Sequence, residues 1–287
     1  MGRMIPYSAE QGDLYYPCKR AVFFASGVPN SEAGLCAELA RLAYCQQDAN
    51  FNFDRDRIRK VLGTAGFTGC LFFETDGQCE GRGTRCFLAV HAARHLTVVA
   101  FRGPDKDDPT DLCDDIDVRL VPWGKDARVH SGFADALAEV LTELEPAVQG
   151  AQNRLVFTGH SLGAAMATLL ASLRKPDALY TFGSPMVGDA AFVALLAGVE
   201  HHRYVDCCDV VTRVPPPRLG YQHHAPPIYI DRDGNIIEDP GEDEIAKDRL
   251  AAAADYLANY SWRIGDVAVR ELADHAPANY VYALTGS

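Results

Sequence analysis

The chain has no apolar run long enough to cross a membrane, and its longest early run, residues 21–25, is too short for a signal-peptide core. It also has no surplus of positive charge. Across 287 residues, 27 lysines and arginines stand against 39 aspartates and glutamates, a formal net charge of −12. This balance argues against nucleic acid or an anionic membrane as partner. We therefore expect a cytoplasmic protein without stable membrane insertion, or one exported by a route that leaves no such signal.

The sequence also lacks a C-x-x-C pair, the spacing that would indicate a metal or redox motif. Its nine cysteines are an odd number in a chain too long for a disulfide framework, so free buried thiols are expected. A bridge between two of Cys70, Cys79 and Cys86 stays open for an oxidising compartment. The adjacent Cys207 and Cys208 could form a redox pair, although packing beside a strand is the simpler interpretation. No metal or cofactor is predicted.

The most informative motif that is present is G-H-S-L-G at residues 159–163. An apolar, strand-like run precedes it at residues 154–158, and a run rich in helix formers follows at residues 164–171. This strand–turn–helix context is typical of a nucleophile elbow, which raises a serine hydroxyl above the edge of a sheet. The glycines have no Cβ, so the strand and the helix can pass close together. Ser161 is therefore the candidate nucleophile.

Strand-like and helix-like segments alternate along the chain, which predicts an α/β fold with a mostly parallel sheet flanked by helices. Residues 1–30 have no period and are predicted to form an irregular arm, and residues 31–287 a single domain without repeats. The expected strands cover residues 71–74, 86–91, 97–101, 155–158, 178–182 and 202–205, with a hairpin over residues 228–237. The expected helices cover residues 31–46, 132–144 and 189–197, and most of the stretch from about residue 248 to Tyr282.

A serine hydroxyl becomes a nucleophile when a histidine accepts its proton and an acid orients that histidine. After an elbow of this kind, the acid comes first along the chain and the histidine second. Asp206 and Asp209 both follow a predicted strand, at the carboxyl end where α/β sheets place their sites, and on this ground both stay open. His275, in a late loop, is the first candidate for the base, and His223 is the second. The remaining downstream histidines lie before the acid or beside the hairpin: His201, His202 and His224.

Further motifs stand in a definite order around the elbow. They are V-A-F-R-G at residues 99–103, V-H-S-G-F at residues 129–133 and T-F-G-S-P-M-V-G at residues 181–188. With the G-H-S-L-G-A-A elbow, they resemble the motifs of the fungal-type, or class three, lipase family of α/β-hydrolases. The resemblance runs from about Ser31 to Tyr280. It implies an α/β-hydrolase fold and a carboxylic ester hydrolase.

The resemblance also selects among the candidate acids and bases. Asp209 opens the segment D-V-V-T-R-V-P-P, which is similar to a family segment whose first residue is the catalytic acid. The position of His275 corresponds to the family's base, whereas His223 matches a histidine that is not the base. In the implied mechanism, the acyl group is transferred to Ser161 and gives an acyl-enzyme. His275 transfers the proton, and Asp209 keeps the imidazole of His275 in the required tautomer.

The oxyanion hole is where this chain departs from the family. One donor is expected from the backbone N–H of Leu162, directly after the nucleophile. The family usually has Thr or Ser after F-R-G, but here that residue is Pro104, which has neither an N–H nor a hydroxyl. Three possibilities stay open: the N–H of Asp105 substitutes, the N–H of Gly103 turns inward, or the hole is incomplete and the enzyme slow.

Residues 105–117 correspond to the family's lid and hold seven aspartates but few apolar residues. Such a segment has no continuous apolar face for adsorption to lipid, so we expect a preference for soluble short- or medium-chain esters over emulsified long-chain fat. A calcium site is the alternative for so many carboxylates. The loop pattern with its glycine is missing, however, and a solvated acidic loop is favoured.

These patterns predict a serine ester hydrolase, a lipase or carboxylesterase, that needs no cofactor and acts on a small-molecule or lipid ester. One alternative is a non-catalytic binding protein of the same fold, its oxyanion hole defective at Pro104. Another is an acyltransferase or polyester depolymerase with the same triad. The presence of Ser161, Asp209 and His275 together argues against the non-catalytic alternative.

Overall fold

The structure is a computed structural model, and it describes residues 7–19, 22–47, 52–75, 83–102, 118–238 and 240–286. The acidic segment 105–117 lies outside the described residues, as do Gly103, Pro104 and Cys79. The strands are β1 (Gly69–Glu74), β2 (Arg85–His91), β3 (Leu96–Arg102), β4 (Leu120–Trp123), β5 (Ala127–His130), β6 (Arg154–His160), β7 (Ala178–Phe182), β8 (His201–Asp206), β9 (Pro227–Ile230) and β10 (Ile236–Glu238). The helices are α1 (Gln11–Tyr15), α2 (Glu32–Leu42), α3 (Arg55–Thr64), α4 (Ser131–Gln149), α5 (Leu162–Leu173), α6 (Ala190–Leu195), α7 (Glu242–Asn259), α8 (Arg270–Ala273) and α9 (Pro277–Thr285).

Eight of these strands form one sheet in the order β1-β2-β3-β6-β7-β8-β9-β10, and β4 and β5 form a separate hairpin. The central run from β3 through β6, β7 and β8 to β9 is parallel, whereas β1, β2 and β10 pair antiparallel at the edges. The predicted α/β-hydrolase architecture with a mostly parallel sheet is thus confirmed. Because parallel strands end at the same edge, β6, β7, β8 and β9 bring their carboxyl ends together there.

Alternate residues of the central strands face opposite sides of the sheet, and both sides are covered. In β3, Val98 and Ala100 belong to the core that contains Leu39 of α2. Val99 and Phe101 belong to the core on the other side, which includes residues of α4 and α5. A strand that is buried on both faces reads as a continuous apolar run, which is why the sequence revealed the central strands.

The six predicted strands and the hairpin are present, each strand within two residues of its predicted bounds. Helices α1 and α3 and the hairpin of β4 and β5 were not predicted. Helix α3 buries only Ile58 and Leu62 among many charged residues, so it has little apolar signal. In the hairpin, strand β4 contains Pro122 and has no buried residue. The predicted late helix is divided into α7, α8 and α9.

The first thirty residues are less irregular than the sequence suggested. Helix α1 lies within them, and Glu10 forms a β-bridge with Asp266. Ser8 donates its N–H to Oδ1 of Asn279 at 2.8 Å, so this segment contacts the late part of the chain. The division into an arm and one domain from residue 31 stays a prediction.

Two further observations bear on the composition. In the described ranges, no helix combines the length and the apolar character that crossing a membrane requires. Cys70 and Cys86 are free thiols, as are Cys207 and Cys208. The open possibility of a bridge between Cys70 and Cys86 is therefore not realised in this structure.

Candidate active site

The predicted nucleophile lies in a strained turn between β6 and α5. Ser161 has φ 57° and ψ −127°, and its N–H donates to the carbonyl oxygen of Phe182 at 2.9 Å. A positive φ costs a residue with a Cβ about 1–3 kcal/mol and persists only where the surroundings impose it. The turn leaves the hydroxyl at the carboxyl edge of the sheet.

The glycines on either side of the turn are required by contact with backbone. A Cβ added at Gly159 would lie 2.3 Å from the carbonyl carbon of Gly163. A Cβ added at Gly163 would lie 2.3 Å from the carbonyl oxygen of Phe101 on β3. Neither neighbour can rotate away, so the spacing of the motif follows from close packing of β3, β6 and α5.

The structure brings Ser161, His275 and Asp209 into one hydrogen-bonded chain, called the triad below. The Oγ of Ser161 lies 2.8 Å from Nε2 of His275. The Nδ1 of His275 lies 2.9 Å from Oδ2 and 3.0 Å from Oδ1 of Asp209. With Nδ1–H donating to the carboxylate, Nε2 is free to accept the proton of the serine hydroxyl.

The acid of the triad has further donors. The Tyr280 hydroxyl donates to Oδ2 of Asp209 at 2.5 Å, and the Val211 N–H donates to Oδ1 at 2.9 Å. Burial alone would raise the pKa of Asp209, but the neighbouring His275 and the hydrogen bonds from His275 and Tyr280 lower it overall. A Cβ on Gly183, which has φ +60°, would lie 2.7 Å from Oδ2, so only glycine leaves room for this carboxylate.

The base of the triad is held through its backbone. The Nε2–H of His160 donates to the carbonyl oxygen of His275 at 2.7 Å, and the Tyr44 hydroxyl donates to Nδ1 of His160 at 2.8 Å. Burial, and then the neighbouring His275, lowers the pKa of His160 well below its usual value. His160 therefore stays neutral, with one nitrogen donating and the other accepting. The sequence placed His160 in the elbow motif but gave no indication of this contact, and Tyr44 was not predicted at all.

Asp274, the residue before His275, stabilises the turn that carries His275. Asp274 is buried and accepts hydrogen bonds from Nε of Arg270 at 3.0 Å, the Tyr7 hydroxyl at 2.9 Å and the Cys208 N–H at 3.0 Å. Burial raises the pKa of Asp274, and the Arg270 guanidinium opposes that rise. These contacts tie the turn between α8 and α9 to the end of β8.

The structure places the other two candidates, Asp206 and His223, outside the hydrogen-bonded chain of the triad. Asp206 is buried and lines a cavity of about 230 Å³ together with Arg270 and Tyr7. Its pKa lies well above the usual value because of burial and the neighbouring Asp274. His223 donates from Nε2 to the carbonyl oxygen of Thr212 at 2.8 Å. Of the two acids, it is thus Asp209 that reaches the imidazole of the triad.

Of the three remaining candidate histidines, His202 contacts Glu200 at 2.8 Å, whereas His201 and His224 pair with each other. His201 and His224 approach through their Nδ1 atoms at 3.2 Å, with their rings stacked. Burial lowers the pKa of both, most strongly for His201, where the neighbouring His224 adds to the effect. They are neutral packing residues of β8 and the loop before β9.

One predicted oxyanion donor can be located. Leu162 is the first residue of α5, so its N–H belongs to the first turn and has no acceptor within the helix. It follows the serine directly at the carboxyl edge of the sheet. Pro104 and Asp105, the other predicted positions of the hole, lie outside the described residues. The second donor stays a prediction.

Among the described residues, one group offers the atoms of a metal site. The sulfurs of Cys207 and Cys208 and a carboxylate oxygen of Asp274 lie within 4.8 Å of one another, and all three residues are buried. The Cys207 thiol, however, donates to Asp248, and Asp274 is paired with Arg270. These contacts fit the interpretation of the two thiols as packing groups at the end of β8.

Comparison with known proteins gives the family. The sequence model of the family described as Lipase (class 3) matches residues 98–219. The secreted mono- and diacylglycerol lipase MDL3 of Malassezia globosa is 33% identical over 217 residues, which cover 68% of this chain and 67% of that protein. The secreted mono- and diacylglycerol lipase 1 of Fusarium solani is 43% identical over 115 residues, 36% of this chain and 34% of that protein. A lipase crystal structure from Rhizopus microsporus var. chinensis is 26% identical, with a TM-score of 0.56, and covers 73% of this chain and 74% of that one.

The sheet order and the elbow define an α/β-hydrolase fold, and the solved lipase from Rhizopus shares it. The chain belongs to the class 3 lipase family, as the motifs predicted. The matched part of the two curated relatives is between 34% and 67% of their length. The expectation of a cytoplasmic protein is wrong, because both relatives are named as secreted. That expectation depended on the shortness of the apolar run at residues 21–25, and this run alone does not decide where the protein is delivered.

Proposed function

We propose that this chain is a secreted serine hydrolase that cleaves acyl esters of glycerol, with mono- and diacylglycerols as the substrate class. The triad is the observation that carries the proposal, because it joins a hydroxyl, an imidazole and a carboxylate by hydrogen bonds of 2.8–3.0 Å. The substrate class and the secretion are taken from the names of the Malassezia and Fusarium relatives.

In the proposed reaction, the Ser161 oxygen attacks the ester carbonyl carbon while its proton passes to Nε2 of His275. Asp209 stabilises the imidazolium that forms. The tetrahedral intermediate collapses when the C–O bond to the alcohol breaks and His275 protonates the leaving oxygen. Water then attacks the acyl-enzyme and gives a proton to Nε2 of His275. His275 passes this proton to the Ser161 oxygen as the bond between that oxygen and the acyl carbon breaks, which releases the carboxylic acid and restores the serine.

The negative oxygen of each intermediate needs donors worth about 3–4 kcal/mol apiece. We assign the Leu162 N–H as the first donor. Since Pro104 has no N–H, the second donor falls to Asp105 or Gly103, and we expect a working enzyme of modest turnover. An oxyanion hole in which neither of these N–H groups acts as the second donor would lower turnover further.

We also propose a preference for short- to medium-chain acyl groups. The support is the composition of residues 105–117, which correspond to the family's lid and hold seven aspartates. A long acyl chain gains binding energy from apolar contact along its length, and this segment offers little of it. A series of p-nitrophenyl esters from acetate to palmitate measures this preference directly.

The experiment that tests the function is labelling with a fluorophosphonate, followed by peptide mapping. We expect the label on Ser161, and we expect Ser161→Ala to lose both the label and ester hydrolysis. Ser172→Ala, on the helix α5 that follows Ser161, is the matched control and keeps both. Folded protein that takes no label supports the binding-protein alternative and refutes the proposal. Transfer of the acyl group to an added alcohol in preference to water would instead favour an acyltransferase.

A further inference from the structure

We propose that an apolar patch on α7 and the turn after it docks the protein on uncharged lipid surfaces. The four most exposed large hydrophobic side chains of the described residues all lie there. Leu250, Leu257 and Trp262 are 76%, 63% and 71% exposed, and Ile264 is fully exposed. These four are called the apolar patch. Single exposed apolar residues are ordinary, whereas a group of them marks an interaction site.

The patch arises because α7 is apolar on two opposite faces. Its inner face packs through Ala252 and Tyr256, which are buried. The two leucines of the patch are seven residues apart on the outer face, with the exposed Ala254 between them. The indole N–H of Trp262 donates to the carbonyl oxygen of Ala258 at 3.0 Å, which holds the ring against the end of the helix. The outer apolar face of the helix is thus followed, in the turn directly after it, by two further exposed apolar side chains, Trp262 and Ile264.

The residues beside the patch suit the boundary between lipid and water. The Arg263 guanidinium lies 5.6 Å from the ring of Trp262 and 5.0 Å from that of Tyr260. Trp and Tyr each combine an apolar ring with a polar atom, and they are enriched where lipid meets water. An arginine can place its stem along an apolar surface and keep its charge in water. A helix with such a face lies in the plane of the interface.

The net charge of the chain indicates which kind of surface binds to the patch. The patch contains no ionisable side chain, but the whole chain carries a formal net charge of −12. A second copy of the chain would bring the same charge toward it, and an anionic membrane would also repel it. A surface of uncharged or zwitterionic lipid does not repel the chain electrostatically, and the apolar side chains of the patch can insert into it.

The patch lies on an element that is attached at the same end of the sheet as the triad. The Arg249 guanidinium donates to the carbonyl oxygen of Cys207 at 2.7 Å, directly after β8. The Tyr229 hydroxyl, on β9, donates to Asp248 at 2.8 Å. Helix α7 is therefore held at the carboxyl ends of β8 and β9, the edge at which Ser161 follows β6. The inference rests on the proposed function, since the lipid surface is where such an enzyme would meet its ester.

Tryptophan fluorescence tests the docking without catalysis. The chain has two tryptophans, so Trp123→Phe leaves Trp262 as the single emitter. Ser161→Ala in the same protein prevents hydrolysis of the probe, which is vesicles of phosphatidylcholine and diacylglycerol. We expect a blue shift of the emission on adding vesicles and quenching by brominated phosphatidylcholine. Unchanged emission, together with no co-sedimentation of the Ser161→Ala protein, overturns the proposal.

A matched pair of variants locates the surface. Leu250→Ser/Leu257→Ser/Ile264→Ser removes the aliphatic part of the patch. Its control, Leu71→Ser/Leu173→Ser/Leu195→Ser, changes three exposed leucines on other elements. We expect the patch variant to bind vesicles about tenfold more weakly or worse, and the control to stay within about twofold of the parent. Equal binding by the two variants overturns the proposal.

Three further readings separate this inference from its alternatives. With Ser161 intact, the patch variant should cleave soluble p-nitrophenyl acetate at the parent rate, which shows that it is folded. A parent that cleaves no ester refutes the proposed function, whereas vesicle binding by the Ser161→Ala protein still supports docking. Stronger binding to phosphatidylglycerol than to phosphatidylcholine vesicles overturns the proposal. A sedimentation coefficient that falls in the patch variant also overturns it, because the patch then joins two copies.

Discussion

Tyr280 shows how much of the site depends on residues outside the triad. Its hydroxyl donates to Asp209 and at the same time accepts the N–H of Asp206 at 3.1 Å. It thereby joins α9, the helix that follows the base, to the loop that carries the acid. Burial and the Asp209 carboxylate raise the pKa of Tyr280 well above its usual value, so it stays a donor at any working pH.

Tyr280→Phe should raise the pKa of Asp209, because one of the hydrogen bonds that lower it is lost. We expect the acid limb of the pH–rate profile to move to higher pH. We also expect the free energy of unfolding to fall by about 1–3 kcal/mol, because the buried N–H of Asp206 loses its acceptor. Tyr282→Phe, on the same helix, is the control. A pH profile that matches the parent would contradict this assignment of Tyr280.

His223, the second candidate for the base, is predicted to matter for stability and not for hydrolysis. Burial, and then the neighbouring Arg203, lowers its pKa to about 3. In the unfolded chain its pKa is about 6.5, so as the pH falls below that value the unfolded state takes up the proton first. The contribution of neutral His223 to stability is complete above about pH 6.5 and is lost progressively as the pH falls toward 3.

His223→Gln keeps a donor for Thr212 but cannot titrate. Between about pH 7.5 and about pH 5, the unfolding free energy of the parent relative to this variant should fall by about 1–2 kcal/mol. Denaturant unfolding at the two pH values measures it, and a constant difference would contradict the buried neutral histidine. His223→Gln should keep ester hydrolysis, whereas His275→Gln should lose it.

At the scale of elements, the close contact of β3, β6 and α5 determines which residues the nucleophile elbow can contain. Gly163→Ala would place a Cβ 2.3 Å from the Phe101 carbonyl oxygen, and we expect a loss of about 3 kcal/mol or more of unfolding free energy. Gly63→Ala, in α3, meets no atom within 4 Å and should gain up to about 1 kcal/mol. Thermal unfolding of both variants checks the contrast. Similar melting temperatures would mean that the elbow can relax.

The sequence predicted the elements that repeat a strong local pattern and missed those that do not. The buried parallel strands have apolar runs, and the elbow has a fixed glycine spacing. Helix α3 shows the opposite case, since only Ile58 and Leu62 are buried. In the site, Ser161, Asp209 and His275 could be selected from the order of motifs. The contacts of Tyr44 and Tyr280 join residues 116 and 71 positions apart, and no local pattern encodes them.

At the scale of the whole molecule, the two ends of the described chain close against each other beside the triad. Ser8 exchanges two hydrogen bonds with Asn279, at 2.8 Å and 2.9 Å, and the Tyr7 hydroxyl reaches Asp274. Leu14 of α1 shares a small apolar core with Tyr256 of α7. The early segment is therefore part of the packing that fixes the turn before His275.

Removal of residues 1–16 should lower the unfolding free energy by about 2–5 kcal/mol, the range for losing a buried leucine such as Leu14. We expect ester hydrolysis to fall as well, because Asp274 loses a hydrogen bond next to the base. Tyr7→Phe removes that hydroxyl alone and should cost about 1 kcal/mol. Denaturant unfolding and soluble-ester rates check both. A truncated protein as stable and as active as the parent would show that the early segment only covers the surface.

The distance along the chain between nucleophile and base has a consequence for synthesis. His275 follows Ser161 by 114 residues, and the elbow forms from a strand and a helix that are complete much earlier. At about 5–20 residues per second, a ribosome needs roughly 6–23 s to reach the histidine after the serine. During that interval the residues of the elbow have been synthesised but the histidine that accepts the serine proton has not. The proposed ester hydrolysis therefore cannot begin before residue 275 has been synthesised.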